Sequence, residues 1–182
     1  MRQITNALAR GVILCGLVVT IGFAACKSYG AEVIPIAGKA IQKTEKMDVL
    51  YTDAVTGRLI YILSNRGMDQ ETTGSGLFQG SARTNRATWD LVNGVGTGQG
   101  ISRVETAAGD AYVAEFNGVC MPILTDDGKS VPRCYGGWVL LPGSGTGHFV
   151  NVQAGGSWTG TVQANGDFEV VWSGHLQHQS PK

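Results

Sequence analysis

The chain has 182 residues, a formal net charge of zero and a pI near 6.8. It therefore lacks the positive charge expected of a nucleic-acid-binding protein, and no nucleic-acid partner is predicted. Only 15% of the residues are charged and 27 are glycine, about double the usual glycine share. Aromatic and β-branched residues nevertheless occur throughout 48–175, which predicts a packed domain and excludes disorder.

The N-terminus has the pattern of a secretory signal peptide. Arg2 and Arg10 precede an uncharged apolar run over 11–25, which is shorter than the roughly 20 residues that a membrane-spanning helix needs. We predict that residues 1–25 are a signal peptide and that the mature protein is exported to the periplasm or secreted. An N-terminal anchor that is never cleaved is the alternative interpretation.

The end of the apolar run leaves two processing routes open. Phe23-Ala24-Ala25-Cys26 resembles a bacterial lipobox, which predicts lipidation of Cys26 and attachment of the protein to the outer membrane through the acyl chains. Cleavage by signal peptidase after Ala24 or after Gly30 would instead release a soluble protein. The sequence does not determine the oligomeric state.

Two cysteines, Cys120 and Cys134, remain in the predicted mature domain. An oxidising compartment allows them to form a disulfide. The segment between them contains two prolines and an Asp-Asp-Gly turn signal, which predicts a loop between strands. Two free thiols, or a metal pair lacking its other ligands, are the alternatives.

The rest of the chain predicts an all-β fold. Residues 26–47 are interpreted as a linker or lead-in, or as a first strand with a short helical piece; residues 48–176 form the predicted domain and 177–182 a tail. Short β-rich runs between turn signals are typical of a sandwich or barrel. The predicted strands are 58–64, 76–83, 86–93, 98–106, 110–118, 135–141, 156–163 and 167–175.

Glycine recurs at every second position in 94–100 and in 143–147. Neither run continues as G-x-G-x-x-G before a helix, and neither is followed by Gly-Lys-Ser/Thr, so no nucleotide cofactor is predicted. Glycine spaced by two in a strand instead leaves one face without side chains. This pattern favours tight coiling, a bulge or close approach of another element, as in a small barrel. A plain turn is the alternative for part of 141–147.

Two of these segments resemble the allene oxide cyclase-like barrel family. GSGTGHFVNVQAGGSWTGTV (143–162) resembles the family's Gly-rich late strands, and DLVNGVGTGQGISRVETAAGDAYVAEFNG (90–118) resembles an earlier Gly-rich strand, turn and strand. The resemblance spans 58–175 and implies a single antiparallel eight-stranded barrel whose lumen can hold one small ligand. Other calycin-type barrels, including avidin-like ones, would leave a similar pattern.

The plant enzymes of that family cyclise an unstable epoxide, largely through the shape of an apolar lumen. None of their catalytic residues can be matched to positions here. Aromatic residues on the predicted strands are the candidate ligand contacts, with core filling as the alternative role. They are Trp89, Tyr112, Phe116, Trp138, Trp158 and Trp172.

Candidates for chemistry are few. His148 and Glu115 are minor candidates for an acid or base, although strand alternation predicts that Glu115 faces water. His175 and His178 lie three apart in a predicted strand and tail, so they would point to opposite faces, and no metal site is predicted. We also find no Gly-x-Ser-x-Gly nucleophile motif.

These observations predict a non-catalytic exported barrel that binds a small apolar molecule. A shape-guided cyclase or isomerase is the first alternative. A structural envelope protein with a filled barrel is the second.

Overall fold

The computed structural model of the protein describes residues 32–126, 128–163 and 165–179. The predicted signal peptide and Cys26 lie outside these residues. Within them the chain forms a closed, eight-stranded antiparallel β-barrel, as the sequence predicts. No helix in the described ranges has the length and apolar character of a membrane span.

Each strand pairs with the next along the chain, and β8 pairs with β1 to close the barrel. A single turn of 3-10 helix, Gly147–Phe149, lies in the β6–β7 connection. The strands are β1 Val33–Asp53, β2 Arg58–Thr73, β3 Ala82–Val92, β4 Val95–Glu105, β5 Ala111–Leu124, β6 Ser130–Leu140, β7 Val152–Val162 and β8 Phe168–His178.

The predicted number of strands is correct, but one predicted strand is wrong. Residues 76–80 form turns in the β2–β3 connection, and β3 starts only at Ala82. Gly74, Gly76 and Gly80 all have positive φ, a conformation that breaks an extended strand. Phe78 gave this segment its strand-like appearance, but its ring is buried as a plug in one end of the barrel.

The missing strand is β1, which lies largely in the segment interpreted as a linker or first strand. Residues 33–42 pair with β8, so the barrel wall begins before residue 48. Alternate residues of this segment form a buried face, and the positions between them face water. The charged residues at the water-facing positions make the alternation difficult to recognise in the sequence. At the other end of the chain β8 continues to His178, so the strand includes the first two residues of the predicted tail.

The second half of β1, residues 43–53, extends beyond β8 and pairs only with β2 in the described part of the chain. Register shifts at Thr44/Lys46 and Val49/Tyr51 leave Glu45 and Leu50 as bulge residues on this edge. Such bulges, together with charged side chains, are devices by which edge strands avoid pairing with other chains.

The disulfide between Cys120 and Cys134 is confirmed, although its setting differs from the prediction. The two cysteines are direct partners across β5 and β6, and both are buried on the inner face. Strand pairing continues on both sides of the bond, and the connection is only residues 125–129. Pro122 and Pro132 face each other within this ladder rather than in a loop.

The strand glycines allow close approach of an indole ring or of a neighbouring strand. Every tryptophan has a glycine directly opposite on a neighbouring strand. The four pairs are Trp89–Gly98, Trp138–Gly156, Trp158–Gly136 and Trp172–Gly38. A methyl group added to Gly98 would overlap the Trp89 ring, and one added to Gly38 would overlap the Trp172 ring. A methyl group added to Gly136 or Gly156 would instead overlap the backbone of a neighbouring strand.

Aromatic rings plug the end of the barrel that carries the β2–β3 and β6–β7 connections. The Phe149 ring centroid lies 4.7 Å from that of Tyr112, and the Phe78 centroid lies 5.8 Å from each of them. Glu71 holds the loop that carries Phe78, since its carboxylate accepts hydrogen bonds from the backbone N–H groups of Gly76 and Phe78 at 2.9 and 2.8 Å. This end of the barrel is closed by packed side chains.

We expect Gly98→Ala to lower the free energy of unfolding by about 1–3 kcal/mol, because the added methyl group overpacks the Trp89 ring. Gly137→Ala is the control, since a methyl group there meets only ordinary contacts beyond 3.5 Å. Denaturant unfolding of both variants measures the effect. Equal stability of the two variants would contradict the proposed role of Gly98.

Replacing both Cys120 and Cys134 with alanine is expected to lower the free energy of unfolding by about 3 kcal/mol, because the bond closes a short loop in the unfolded chain. A reductant should lower the unfolding midpoint of the wild type and leave that of the double variant unchanged. A wild-type midpoint that stays constant after its thiols are shown to be reduced would exclude this contribution.

Candidate functional site

The candidate site is the lumen of the barrel, which contains a cavity of about 230 Å³. All six aromatic residues proposed from the sequence as ligand contacts line it. Their role as ligand contacts stays a prediction, but their inward orientation follows from alternation along β3, β5, β6, β7 and β8. A wall of indole and phenyl rings is the usual lining of a pocket for an apolar molecule.

The cavity runs from the aromatic plug towards the opposite end of the barrel. Its lining includes Phe78 of the plug and also Gly94, Pro132 and Gly166 near the hairpins of the other end. All three residues are exposed to solvent. The lumen is thus closed at the plug and reaches the surface at the hairpin end.

An arc of polar side chains crosses the lumen wall next to the plug. Thr44, Asn65, Asn85 and Ser102 are successive partners across β1, β2, β3 and β4 and therefore form one continuous row on the inner face of the sheet. Gln42 lies one inward position closer to the plug on β1. Thr44 is exposed, whereas Asn65, Asn85, Ser102 and Gln42 are all at most 7% exposed.

Part of this arc is joined by hydrogen bonds. The Asn85 Nδ2 group donates to Gln42 Oε1 at 2.7 Å, and the Ser102 hydroxyl donates to Asn85 Oδ1. The Asn65 side chain has no hydrogen-bond partner among the described residues and lines the cavity. Buried amides normally have partners, so Asn65 is the polar group of the lumen that most needs one.

A buried ion pair lies behind the arc. The Arg83 guanidinium donates to both carboxylate oxygens of Asp69, at 2.8–3.1 Å, and to Ser102 Oγ at 3.2 Å. The Asp69 side chain is fully buried and that of Arg83 is 15% exposed. The indole Nε1 of Trp172 also donates to Asp69 at 3.3 Å. The pair thus ties β2, β3, β4 and β8 together with no net charge.

The electrostatics of this cluster keep its groups in one protonation state. Burial by itself lowers the pKa of Arg83, but the neighbouring Asp69 carboxylate outweighs burial and the pKa is raised. Burial raises the pKa of the Tyr112 hydroxyl well above its ordinary value. Near neutral pH the lumen therefore presents a charged Arg83, a neutral Tyr112 and uncharged amides.

The two minor candidates for acid–base chemistry lie outside the lumen. Glu115 is exposed on the outer face of β5, as alternation predicted. His148 lies in the 3-10 turn at the plugged end, where its side chain is 76% exposed and its Nδ1 atom is hydrogen-bonded to the carboxylate of Asp110. Hydrogen bonds from His148 lower the pKa of that carboxyl group. Neither residue could reach a molecule bound in the cavity.

Sequence reasoning missed the polar arc and the ion pair. Alternation carried a usable signal, because Arg83 and Asn85 precede the inward Trp89 by even numbers of residues. Asn65 lies just after the predicted strand 58–64 and Asn85 lies in the gap between 83 and 86, while Arg83 ends the predicted strand 76–83, so none of the three was assigned to the barrel's inner face. In the described ranges no three His, Cys, Asp or Glu side chains converge as metal ligands; His175 and His178 are both exposed on β8.

Asp69→Asn is expected to lower the free energy of unfolding by about 3–5 kcal/mol, because it leaves the Arg83 charge buried without its counterion. Asp90→Asn is the control. Asp90 pairs with Arg58 on the outer surface with about two fifths of its side chain exposed, so its loss should lower the free energy of unfolding far less. Urea unfolding compares the two variants. Similar decreases in the free energy of unfolding would mean that the buried Asp69–Arg83 pair matters no more for stability than the surface pair.

Comparison of the sequence with models of known protein families found no matching family, and comparison with curated proteins found no similar chain.

Proposed function

We propose that this protein is an exported binding protein that holds a small, predominantly apolar molecule in its barrel lumen without altering it. The observation that carries this proposal is the cavity of about 230 Å³ that aromatic side chains line and that reaches the surface at one end. Transfer of apolar ligand surface from water to such a wall is favourable by roughly 25 cal/mol per Å².

The cavity also argues against a purely structural role with a filled barrel. Well-packed interiors contain few voids larger than a water molecule. Here Trp89, Phe116 and Trp158 surround open space, although larger side chains at Ala87 or Ala114 could have filled it. A wall of rings around a space of this kind is what a binding protein requires.

Export is part of the proposal. The Cys120–Cys134 disulfide is compatible with an oxidising compartment, since such bonds are rare in the reducing cytosol. The N-terminal segment supports secretion by its signal-like pattern, and the lipobox-like residues before Cys26 support anchoring of the barrel at the outer membrane.

A shape-guided isomerase of the allene oxide cyclase-like type is the second candidate. The resemblance of 90–118 and 143–162 to that family supports it, as does the presence of Arg83 and Tyr112 on the lumen wall. A guanidinium and a phenol could stabilise negative charge that develops on a substrate oxygen. The binding protein is preferred, because Arg83 is already engaged by Asp69 and no free acid or base lines the cavity.

Lumen binding is testable with the neutral fluorescent probe N-phenyl-1-naphthylamine. We expect the wild type to enhance probe fluorescence saturably, and Ala87→Trp to reduce the affinity at least tenfold by filling the lumen. Thr88→Trp is the control, because the neighbouring Thr88 points outwards on the same strand. Saturable binding that Ala87→Trp and Thr88→Trp weaken equally would place the probe outside the lumen and contradict the proposal.

Native mass spectrometry of the protein purified from its own host provides a test that needs no variant. A small molecule retained by the folded barrel, and lost on unfolding, would support binding in the cell. The same spectrum gives the mass of the mature chain and so reports whether Cys26 carries acyl groups. A retained molecule that is recovered chemically changed would favour the isomerase.

A further inference from the structure

We infer that the lumen selects a neutral molecule with one hydrogen-bonding head, such as a carboxamide, ketone or alcohol, and that Asn65 and Gln42 bind this head beside the plug. This inference rests on the proposed function, because it names the class of ligand for the same cavity. It goes further in assigning a polar end, an orientation and a charge to the ligand.

The first observation is the Asn65 side chain. It is 5% exposed, lines the cavity and has no hydrogen-bond partner in the described part of the chain. A carboxamide has two N–H donors and one carbonyl acceptor, and those of Asn65 face the cavity space rather than being sealed in protein, so a bound molecule can pair with them. A ligand head that both accepts and donates, such as a carboxamide, would satisfy them.

Gln42 supplies a second free donor near the same place. Its Oε1 atom accepts from Asn85, whereas its Nε2 group has no partner among the described residues, and the side chain is 3% exposed. The Asn85 and Ser102 side chains are hydrogen-bonded to each other, and Asn85 Nδ2 donates to Gln42. They therefore position Gln42 rather than compete for the ligand. Asn65 and Gln42 thus place two amides with unpaired hydrogen-bonding groups on the adjacent strands β2 and β1 of the cavity wall.

The charges of the lumen argue for a neutral head. Arg83 is the one cationic side chain that lines the cavity, and Asp69 occupies it through three hydrogen bonds. A bound carboxylate would have to lose its hydration without gaining a free cation, which is strongly unfavourable. A cationic head would likewise meet the Arg83 charge without a free carboxylate on the cavity wall.

The apolar remainder of the ligand would lie towards the hairpin end. Beyond the arc the lining is mainly apolar and includes Leu63, Trp89, Phe116, Trp138 and Trp158. The head therefore points inwards to the plug and the hydrocarbon part lies between the arc and the opening. The opposite orientation would leave the Asn65 amide against hydrocarbon.

Three probes of matched shape test this inference: 4-ethylbenzamide, 4-ethylbenzoate and 4-ethyltoluene, titrated at pH 7.5 with tryptophan fluorescence and calorimetry. We expect the amide to bind at least tenfold more tightly than the carboxylate and the hydrocarbon. Asn65→Leu should remove this preference by weakening the amide about tenfold, while the hydrocarbon binds as before. Asn117→Leu is the control, because Asn117 is exposed on the outer face of β5.

A measurement on the wild type guards against misfolding of Asn65→Leu. In ¹⁵N-resolved NMR spectra the side-chain amide signals of Asn65 and Gln42 should shift with 4-ethylbenzamide and much less with 4-ethyltoluene. Equal affinity for all three probes, or tighter binding of the benzoate, would overturn the ligand class while leaving lumen binding intact. If no probe binds and N-phenyl-1-naphthylamine is also excluded, the proposed function fails with it.

Discussion

Closure of the sheet by the pairing of β1 with β8 is the constraint on which the rest of the structure depends. The register runs from Val33 opposite Gln177 to Gln42 opposite Phe168, and it joins the two ends of the described chain. An open sheet would expose the indoles that now face inwards and would leave two edges unpaired. Closure turns eight one-sided strands into a wall whose inner face carries the aromatic lining, the polar arc and the Asp69–Arg83 pair.

Closing so small a barrel crowds its interior, and glycines opposite tryptophans relieve part of the crowding. The Trp89 and Trp172 rings lie over Gly98 and Gly38, which have no side chain. The polar atom of the buried Trp158 ring also has partners, since its Nε1 group donates to the backbone oxygens of Asn117 and Gly137 at 3.1 and 3.2 Å. These contacts hold the rings in defined positions on the lumen wall.

The polar arc and the ion pair make the plugged end of the lumen polar, whereas the rest of the lumen is mainly apolar. A buried pair such as Asp69 with Arg83 contributes little net stability compared with packed hydrocarbon, so we infer that it serves specificity. Because the pair neutralises itself, the other polar side chains of the lumen wall are uncharged amides and hydroxyls. The plug, built on Phe78 and held by Glu71, closes the lumen behind them, and the opposite end of the lumen reaches the surface.

The sequence by itself predicted the β class, the barrel and the cysteine pair, because turn signals and alternation are local properties of the chain. It also singled out the aromatic residues that line the lumen, but not which face of each strand turns inwards. Only the tertiary structure decided that β1, which carries several charges and two bulges, is a barrel strand. Its partner β8 is more than a hundred residues away in the chain. The polar arc likewise depends on register: Asn65, Asn85 and Ser102 are ordinary polar residues in the chain and become neighbours only when the pairing of three strands sets them opposite one another. Register between strands is set by the closure of the whole sheet, and no single strand carries that information.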